Sequence, residues 1–258
     1  MIKEETKFQS SAVFEGMTSI RAIIKGIDNG TNDRKISKIL YDSAKYKKIA
    51  KEIGYFKAVS SKYNFELIES NADEIAEYAV GSSHGGIIAI CEERTIPFLS
   101  VDSIQQNGFY VMIQGIEDPY NFGYALRSLY ACGCSGVILG ERNWMSAAGV
   151  VCRSSAGASE LFEIYRAPDE IEAAKMFKEN GYTILSADER TDNTLGAIEL
   201  KYPLLLIVGG EKRGISRGLL DLCDILVKIP YSRSFGASLS AASAATMFAY
   251  EIMRQNNT

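Results

Sequence analysis

The sequence predicts an α/β protein in two units, the second of them built on a parallel sheet. Three observations carry that expectation. Beyond residue 108, apolar runs recur with helical stretches between them: FYVMIQGI, GVILG, LFEIY, YTILSA, PLLLIVGG and ILVKIP. Continuous apolar strands separated by helices are what a parallel sheet covered on both faces requires. Before residue 98, shorter strand-like and helix-like runs alternate over about 90 residues. The charge also changes between the halves. Residues 21–62 hold eleven basic and four acidic side chains, a net of +7, within a chain whose total is -4.

In chain order, KISKILYD reads as a strand, SAKYKKIAKEIGY as a helix and NFELIES as a second strand. NADEIAEYAV reads as a helix capped by its Asn or Asp, and GGIIAICE as a buried strand. The stretch RTIPFLSVDSIQQNG (94–108) breaks this rhythm with a Pro and polar residues. The expected domains are therefore residues 1–98, a linker at 99–107, and 108–258. In the second domain the six apolar runs are the strands, and residues 239–254 close the chain as a helix.

Composition limits the function classes. At 258 residues, 47% hydrophobic and 23% charged, the chain is of ordinary globular composition with ample core. Its acidic balance argues against a polyanion binder over the whole surface, yet leaves room for a local basic face. No run of about 18 apolar residues is present, so no membrane span is expected. MIKEETKFQSS has no apolar signal core, which predicts a cytosolic protein. The five Cys (91, 132, 134, 152, 223) lie in apolar surroundings and are expected to be buried reduced thiols. CGC at 132–134 lacks a second ligand pair and His84 is the lone His, so no metal site is expected.

Parallel sheets bind ligands outside the carboxyl ends of their strands. Three of the loops expected there are rich in Gly and small polar residues: EDPYNFGYALR, EKRGIS (after PLLLIVGG), and YSRSFGASLSAASAA. Gly allows close approach of backbone to a ligand, and free N–H groups at helix starts can hydrogen-bond it. VGGEKRGIS lacks both the Lys-Ser/Thr ending of a P-loop and the G-x-G-x-x-G of a dinucleotide site. The missing fingerprint counts against a nucleotide-dependent oxidoreductase.

At these residues the chain resembles the SpoU (TrmH-like) RNA 2′-O-ribose methyltransferases. IEDPYNFGYALRS is similar to motif 1, Asn-x-Gly-x-x-x-Arg; SSAGASE (154–160) to the Ser-x-Gly-Ala segment; IVGGEKRGIS to motif 2; and IPYSRSFGASLSAASAA to motif 3. The order matches, over about residues 108–255. SSHGGIIAI resembles the end of the family's ribosomal-protein-like substrate-binding domain, where His84 reads as a turn residue. The resemblance implies a SPOUT-type α/β sheet with a C-terminal trefoil knot, a bent S-adenosylmethionine in the knot, and a homodimer whose site is completed across the interface. By position, Gly209, Gly210, Ile229 and Leu239 match cofactor contacts, and Asn121, Arg127, Glu211 and Ser238 match catalytic positions.

Arg127 corresponds to the Arg proposed in the family to help deprotonate the ribose hydroxyl. Neutralising a guanidinium near pH 7 costs roughly 8 kcal/mol, so gripping the adjacent phosphate and stabilising the alkoxide is the competing role. Asn121 either orients the loop or ribose, or caps the helix. Glu211 fixes the motif 2 loop. One departure stands out: Ser240 occupies the place where motif 3 normally has Asn, and Ser lacks an amide donor pair. That leaves a non-catalytic or weakly active RNA-binding relative as the alternative. In the basic segment, Lys45, Lys47, Lys48 and Lys51 interleave with aromatics, a pattern suited to RNA, rRNA or tRNA, and also to a solvated helix face.

Overall fold

A computed structural model describes residues 13–81, 84–116, 118–140, 147–210 and 214–256. The chain forms two compact units, Met1–Thr95 with Trp144–Leu161, and Ile96–Asn143 with Phe162–Thr258.

The first unit is built on a four-stranded sheet of β1 (Val13–Glu15), β2 (Ile36–Asp42), β3 (Glu66–Ser70) and β4 (Ile87–Cys91), in the order β1-β4-β2-β3. β2 runs parallel to β3, and β4 runs antiparallel to both β1 and β2. Successive strand residues face opposite sides, so the sheet carries two apolar faces. Phe14, Ile39, Ile87 and Ala89 pack with Ile20, Ile23 and Ile24 of α1 (Gly16–Asn29) and with Ile53 and Phe56 of α2 (Tyr46–Tyr63). Val13, Leu40 and Ile88 pack on the other side with Ile75 of α3 (Ala72–Tyr78). The strands and helices expected between residues 35 and 92 are present. The cap of α3 is Asn71, which accepts a hydrogen bond from the Glu74 N–H at 2.9 Å. β1 and α1 are additions to the sequence reading.

The first unit also takes in α5 (Ala148–Ser154) and α6 (Ala158–Leu161). Cys152 joins the core beside α1. At Gly26 and Gly157, an added Cβ would overlap the Glu160 carbonyl and Ala22 respectively, so both positions need Gly for this approach. The polar tie is Arg34, whose Nε donates to Glu160 Oε2 at 2.9 Å with side chains only 2% and 3% exposed. Asn32 Nδ2 donates to the same carboxylate at 3.1 Å, and Arg34 Nη1 to the Glu92 carbonyl at 2.9 Å. The buried charges are thus paired and hydrogen-bonded, as burial demands.

In the second unit all strand pairs are parallel, in the order β10-β8-β9-β5-β6-β7. The strands are β5 (Phe109–Ile113), β6 (Gly136–Leu139), β7 (Ile164–Arg166), β8 (Thr183–Ala187), β9 (Leu204–Val208) and β10 (Ile225–Val227). All six expected runs contain a strand. β7 starts later than LFEIY suggested, because Leu161 still belongs to α6. β5 and β9 are buried at every residue, which explains their unbroken apolar character. One face of the sheet packs on Ala173, Ala174 and Phe177 of α7 (Glu170–Glu179) and on Leu219 of α8 (Arg217–Leu220). α4 (Pro119–Ala131) packs on α9 (Ala241–Asn256), which also contacts β9.

The end of α9 is tied to the chain just ahead of β9. Gln255 Oε1 accepts from the Leu200 N–H at 2.8 Å, and Asn256 Nδ2 donates to the Leu200 carbonyl at 2.7 Å. α9 therefore runs back along β9, and its first turn lies at the carboxyl edge of the sheet. Among the described residues no helix is long and apolar enough to cross a membrane, and no cluster of His, Cys, Asp or Glu suits a metal. Cys91, Cys132, Cys134 and Cys152 are free and buried, Cys223 free and half-buried. Burial pushes the Cys91 thiol up to about 12.

Candidate functional site

Because all six strands are parallel, the loops after them leave from one edge. β5 leads to β6 on one side, whereas β9 leads towards β10 on the other. Such a reversal opens a crevice outside the strand ends. Ile113 and Val208 pair at the last rung, so Gln114–Gly115 and Gly209–Gly210 emerge side by side. They touch closely: a Cβ on Gly210 would lie 2.5 Å from the Gly115 carbonyl oxygen and 2.8 Å from that of Gln114. A Cβ on Gly209 would lie 2.7 Å from the Gly214 carbonyl carbon. The Gly214 N–H donates to the Gly210 carbonyl at 3.1 Å and closes the base of the loop. Gly209, Gly210 and Gly214 thus present bare backbone here.

A polar strut holds the loop in place. Gln114 Oε1 accepts from the Ser216 N–H at 3.2 Å, while Gln114 Nε2 donates to Glu170 Oε2. Glu170 stands at the start of α7 beside Gly140, the residue after β6. Burial pushes its carboxyl above the ordinary range; the bond from Gln114 opposes that shift and Asp169 adds to it. Sequence reasoning missed both residues, which are 56 positions apart.

The segment after β10 returns to the same edge. β10 lies at the end of the sheet, yet α9 packs on β9 and α4. Residues 228–240 must therefore cross back over about two strand spacings of ~4.8 Å each to reach β9. Ile229 and Leu239 are half-buried on this segment, and Ser238 is exposed. The Leu239 N–H donates to Tyr231 Oη at 3.1 Å. Ser240 Oγ accepts from the Ser243 N–H at 3.2 Å, immediately before α9. That is an N-cap, a task at which Ser equals Asn.

α4 presents the remaining residues. Its cap is Asp118, whose Oδ1 accepts from the Tyr120 N–H at 2.8 Å, with Pro119 in the first turn. The capping role open to Asn121 is thus filled by Asp118, and Asn121 is half-buried one turn on. Arg127 is exposed, about 9 Å further along the axis at 1.5 Å per residue, and among the described residues no hydrogen bond or ion pair engages it. It shares the outer stripe of α4 with Tyr120 and Tyr124, and α9 exposes Met247 and Tyr250. Glu211 lies outside the described residues.

In the first unit Lys47, Lys48 and Lys51 are exposed on α2. Lys45 precedes that helix and is half-buried, 4.0 Å from Asp42. Exposed Arg21 of α1 lies over the Tyr55 ring at 5.3 Å, which extends the basic surface onto a second helix. His84 Nδ1 accepts from the Gly86 N–H at 3.2 Å, a turn contact.

The SpoU rRNA Methylase family model matches residues 108–250. A Staphylococcus saprophyticus protein assigned to the TrmH family of tRNA/rRNA methyltransferases is 30% identical over 147 residues, 57% of this chain. That match spans 59% of the relative's own length, under two thirds. Among solved structures, the SpoU methyltransferase AviRb of Streptomyces viridochromogenes, in complex with AdoMet, aligns with a TM-score of 0.74 at 22% identity, covering 96% of each chain. An RNA 2′-O ribose methyltransferase aligns with a TM-score of 0.73 at 19% identity, covering 94% of this chain and 88% of its own. At those identities the likeness is one of fold.

Proposed function

The chain belongs to the SpoU rRNA methylase family, and on that premise we propose that it is an S-adenosylmethionine-dependent methyltransferase acting on a ribose 2′-hydroxyl of structured RNA, rRNA or tRNA, in the cytosol. The observation that carries this reading is the meeting of Gly209–Gly210 with Gln114–Gly115 at the carboxyl edge, to which the 228–240 segment returns. Bare backbone at a parallel-sheet crevice suits a ligand held through main-chain groups, so the residues present fit S-adenosylmethionine. Gly209, Gly210, Ile229 and Leu239 would hold it. When bound, that cofactor supplies an electrophilic methyl group on a sulfonium.

Arg127, exposed and uncompensated by an acid among the described residues, binds the phosphate beside the reacting ribose and stabilises the developing alkoxide. Asn121 orients the ribose or the motif 1 loop, Ser238 lines the site, and Glu211 fixes the loop of motif 2. Ser240 preserves the cap of α9, which removes one structural objection to the replacement of Asn. Residues 1–98 form the RNA-docking domain, with Lys47, Lys48 and Lys51 as its phosphate contacts and Lys45 as a weaker one; 99–107 is the linker, and 108–258 the transferase domain, apart from the stretch 144–161 that groups with the first unit. The return of residues 228–240 across the strand ends supports a trefoil knot in the C-terminal segment. The exposed Tyr120, Tyr124, Met247 and Tyr250 on the packed pair α4 and α9 fit a second copy of the chain, giving a homodimer.

Calorimetry with S-adenosylmethionine, followed by methyl transfer to total RNA with mapping of ribose methylation, tests the proposal. No binding at millimolar cofactor would overturn it. Sedimentation at micromolar concentration is expected to give twice the 28.3 kDa chain mass.

A further inference from the structure

We infer that Gln114 and Glu170 are positioning residues that hold Gly209–Gly210 and Ser216 in their ligand-ready places, Gln114 acting as a two-ended strut between the start of α8 and the start of α7. The functional part of this inference rests on the cofactor reading above; the structural part does not.

The argument begins with what anchors the loop. At one end, Gly209 and Gly210 follow β9 and lie against the main chain of Gln114 and Gly115. At the other end, Ser216 opens α8 without a capping bond from its own side chain. Its N–H instead donates to Gln114 Oε1 at 3.2 Å. The amide of Gln114 is thereby oriented with its oxygen towards Ser216 and its nitrogen towards Glu170. The Glu170 carboxylate lies against Gly140, where an added Cβ would stand 2.5 Å from its Oε1. Three loop regions, after β5, β7 and β9, therefore meet at a single side-chain amide. A hydrogen bond to a carboxylate is stronger than one between neutral groups, so Glu170 also fixes which way the amide is turned.

The polarity of the strut makes it testable by exchange of its two ends. Gln114→Glu removes the N–H donor and sets two carboxylates against each other, while leaving an acceptor for Ser216. Glu170→Gln alone keeps an acceptor for Gln114 Nε2. The double variant Gln114→Glu/Glu170→Gln restores a donor–acceptor pair with the sense reversed. Hydrogen exchange at the Ser216 amide reads the strut with no ligand present. It is expected to rise at least tenfold in Gln114→Glu and to return to within about threefold of wild type in the double variant. Under the same pattern the Kd for S-adenosylmethionine rises at least tenfold and then recovers, while RNA affinity stays within twofold.

Unchanged Ser216 exchange in Gln114→Glu, or a double variant no better than the single one, would overturn the strut. Exchange that follows the pattern while cofactor affinity stays constant would overturn its link to ligand binding. A wild-type chain that binds no S-adenosylmethionine would instead count against the methyltransferase reading, with the exchange experiment still deciding the strut.

Discussion

Arg34 with Glu160 in the first unit, and Gln114 with Glu170 in the second, each tie together stretches far apart in the chain, but they do so in different surroundings. The Arg34–Glu160 pair is sealed inside, flanked by Asn32 and lying over the Phe14 ring. Its groups have no role left for a ligand. The Gln114–Glu170 pair sits where strands end and loops begin, half-buried, next to glycine backbone. The first unit therefore spends its interior polarity on holding the chain and leaves its cations on outer helix faces. The second gathers its polar groups at one edge of an apolar sheet. Long-range charge belongs to the former arrangement, and positioned chemistry to the latter.

The largest expected effect breaks the sealed pair. Glu160→Ala leaves Arg34 buried without its counter-charge, which costs about 3–5 kcal/mol. Urea denaturation is expected to show that loss in the first unit, with binding of S-adenosylmethionine by the second retained. Equal losses of stability and cofactor affinity would erase the contrast between the units.

Next in size is the carboxyl edge of the second sheet. Arg127→Ala is expected to cut methyl transfer about a hundredfold or more, the scale of losing one preorganised electrostatic group, with little change in thermal stability. Arg127→Lys separates charge from geometry, since Lys lacks the planar fork. A Lys variant with full turnover would show that charge alone suffices, and full activity in the Ala variant would remove Arg127 from the mechanism.

A smaller effect is expected from the outer helix face. Replacing Lys45, Lys47, Lys48 and Lys51 together with Ala should weaken RNA binding and flatten its salt dependence by about three counterions, not four, because Lys45 already has Asp42 beside it. Cofactor affinity should not move. An unaltered salt slope would make these lysines a solvated surface only.

The smallest concerns the end of α9. Hydrogen bonds from Arg254 and Gln255 hold the Glu251 carboxyl down from 4.5 to about 2. A lowered carboxyl pKa stabilises above the unfolded value, and that contribution is lost as pH falls from 4.5 towards 2. Glu251→Gln is expected to cost about 1 kcal/mol at pH 7, allowing for solvent screening, and the difference is expected to vanish only as pH falls below about 2. A difference that persists at low pH would assign the effect to packing.

The sequence was most legible where burial is simplest. β5 and β9 are covered on both faces, so their runs read as strands without ambiguity. β1 is three residues long, too short for a period to register. α1 did carry a signal: Ile20, Ile23, Ile24 and Ile27 recur at helical spacing and Gly30 follows in the left-handed conformation. Of the motif glycines, Gly209 and Gly210 directly follow β9, as expected, whereas Gly123 lies inside α4. Gln114 and Glu170 were not legible, because nothing local marks two polar residues that meet only when β5 and α7 are assembled. Asn121 and Ser240 show the same limit at shorter range: which of several capable residues caps a helix is decided by backbone geometry.

The packing of α5 and α6 into the first unit has a consequence for a nicked chain. A protease that cuts within residues 96–107 separates the polypeptide into two pieces, but the longer piece still carries Cys152, Gly157 and Glu160, whose partners Ala22, Asn32 and Arg34 are on the shorter one. The pieces should co-purify as a non-covalent complex. Conversely, two fragments divided there and made separately should reassemble on mixing, each recognising the other as a split protein does.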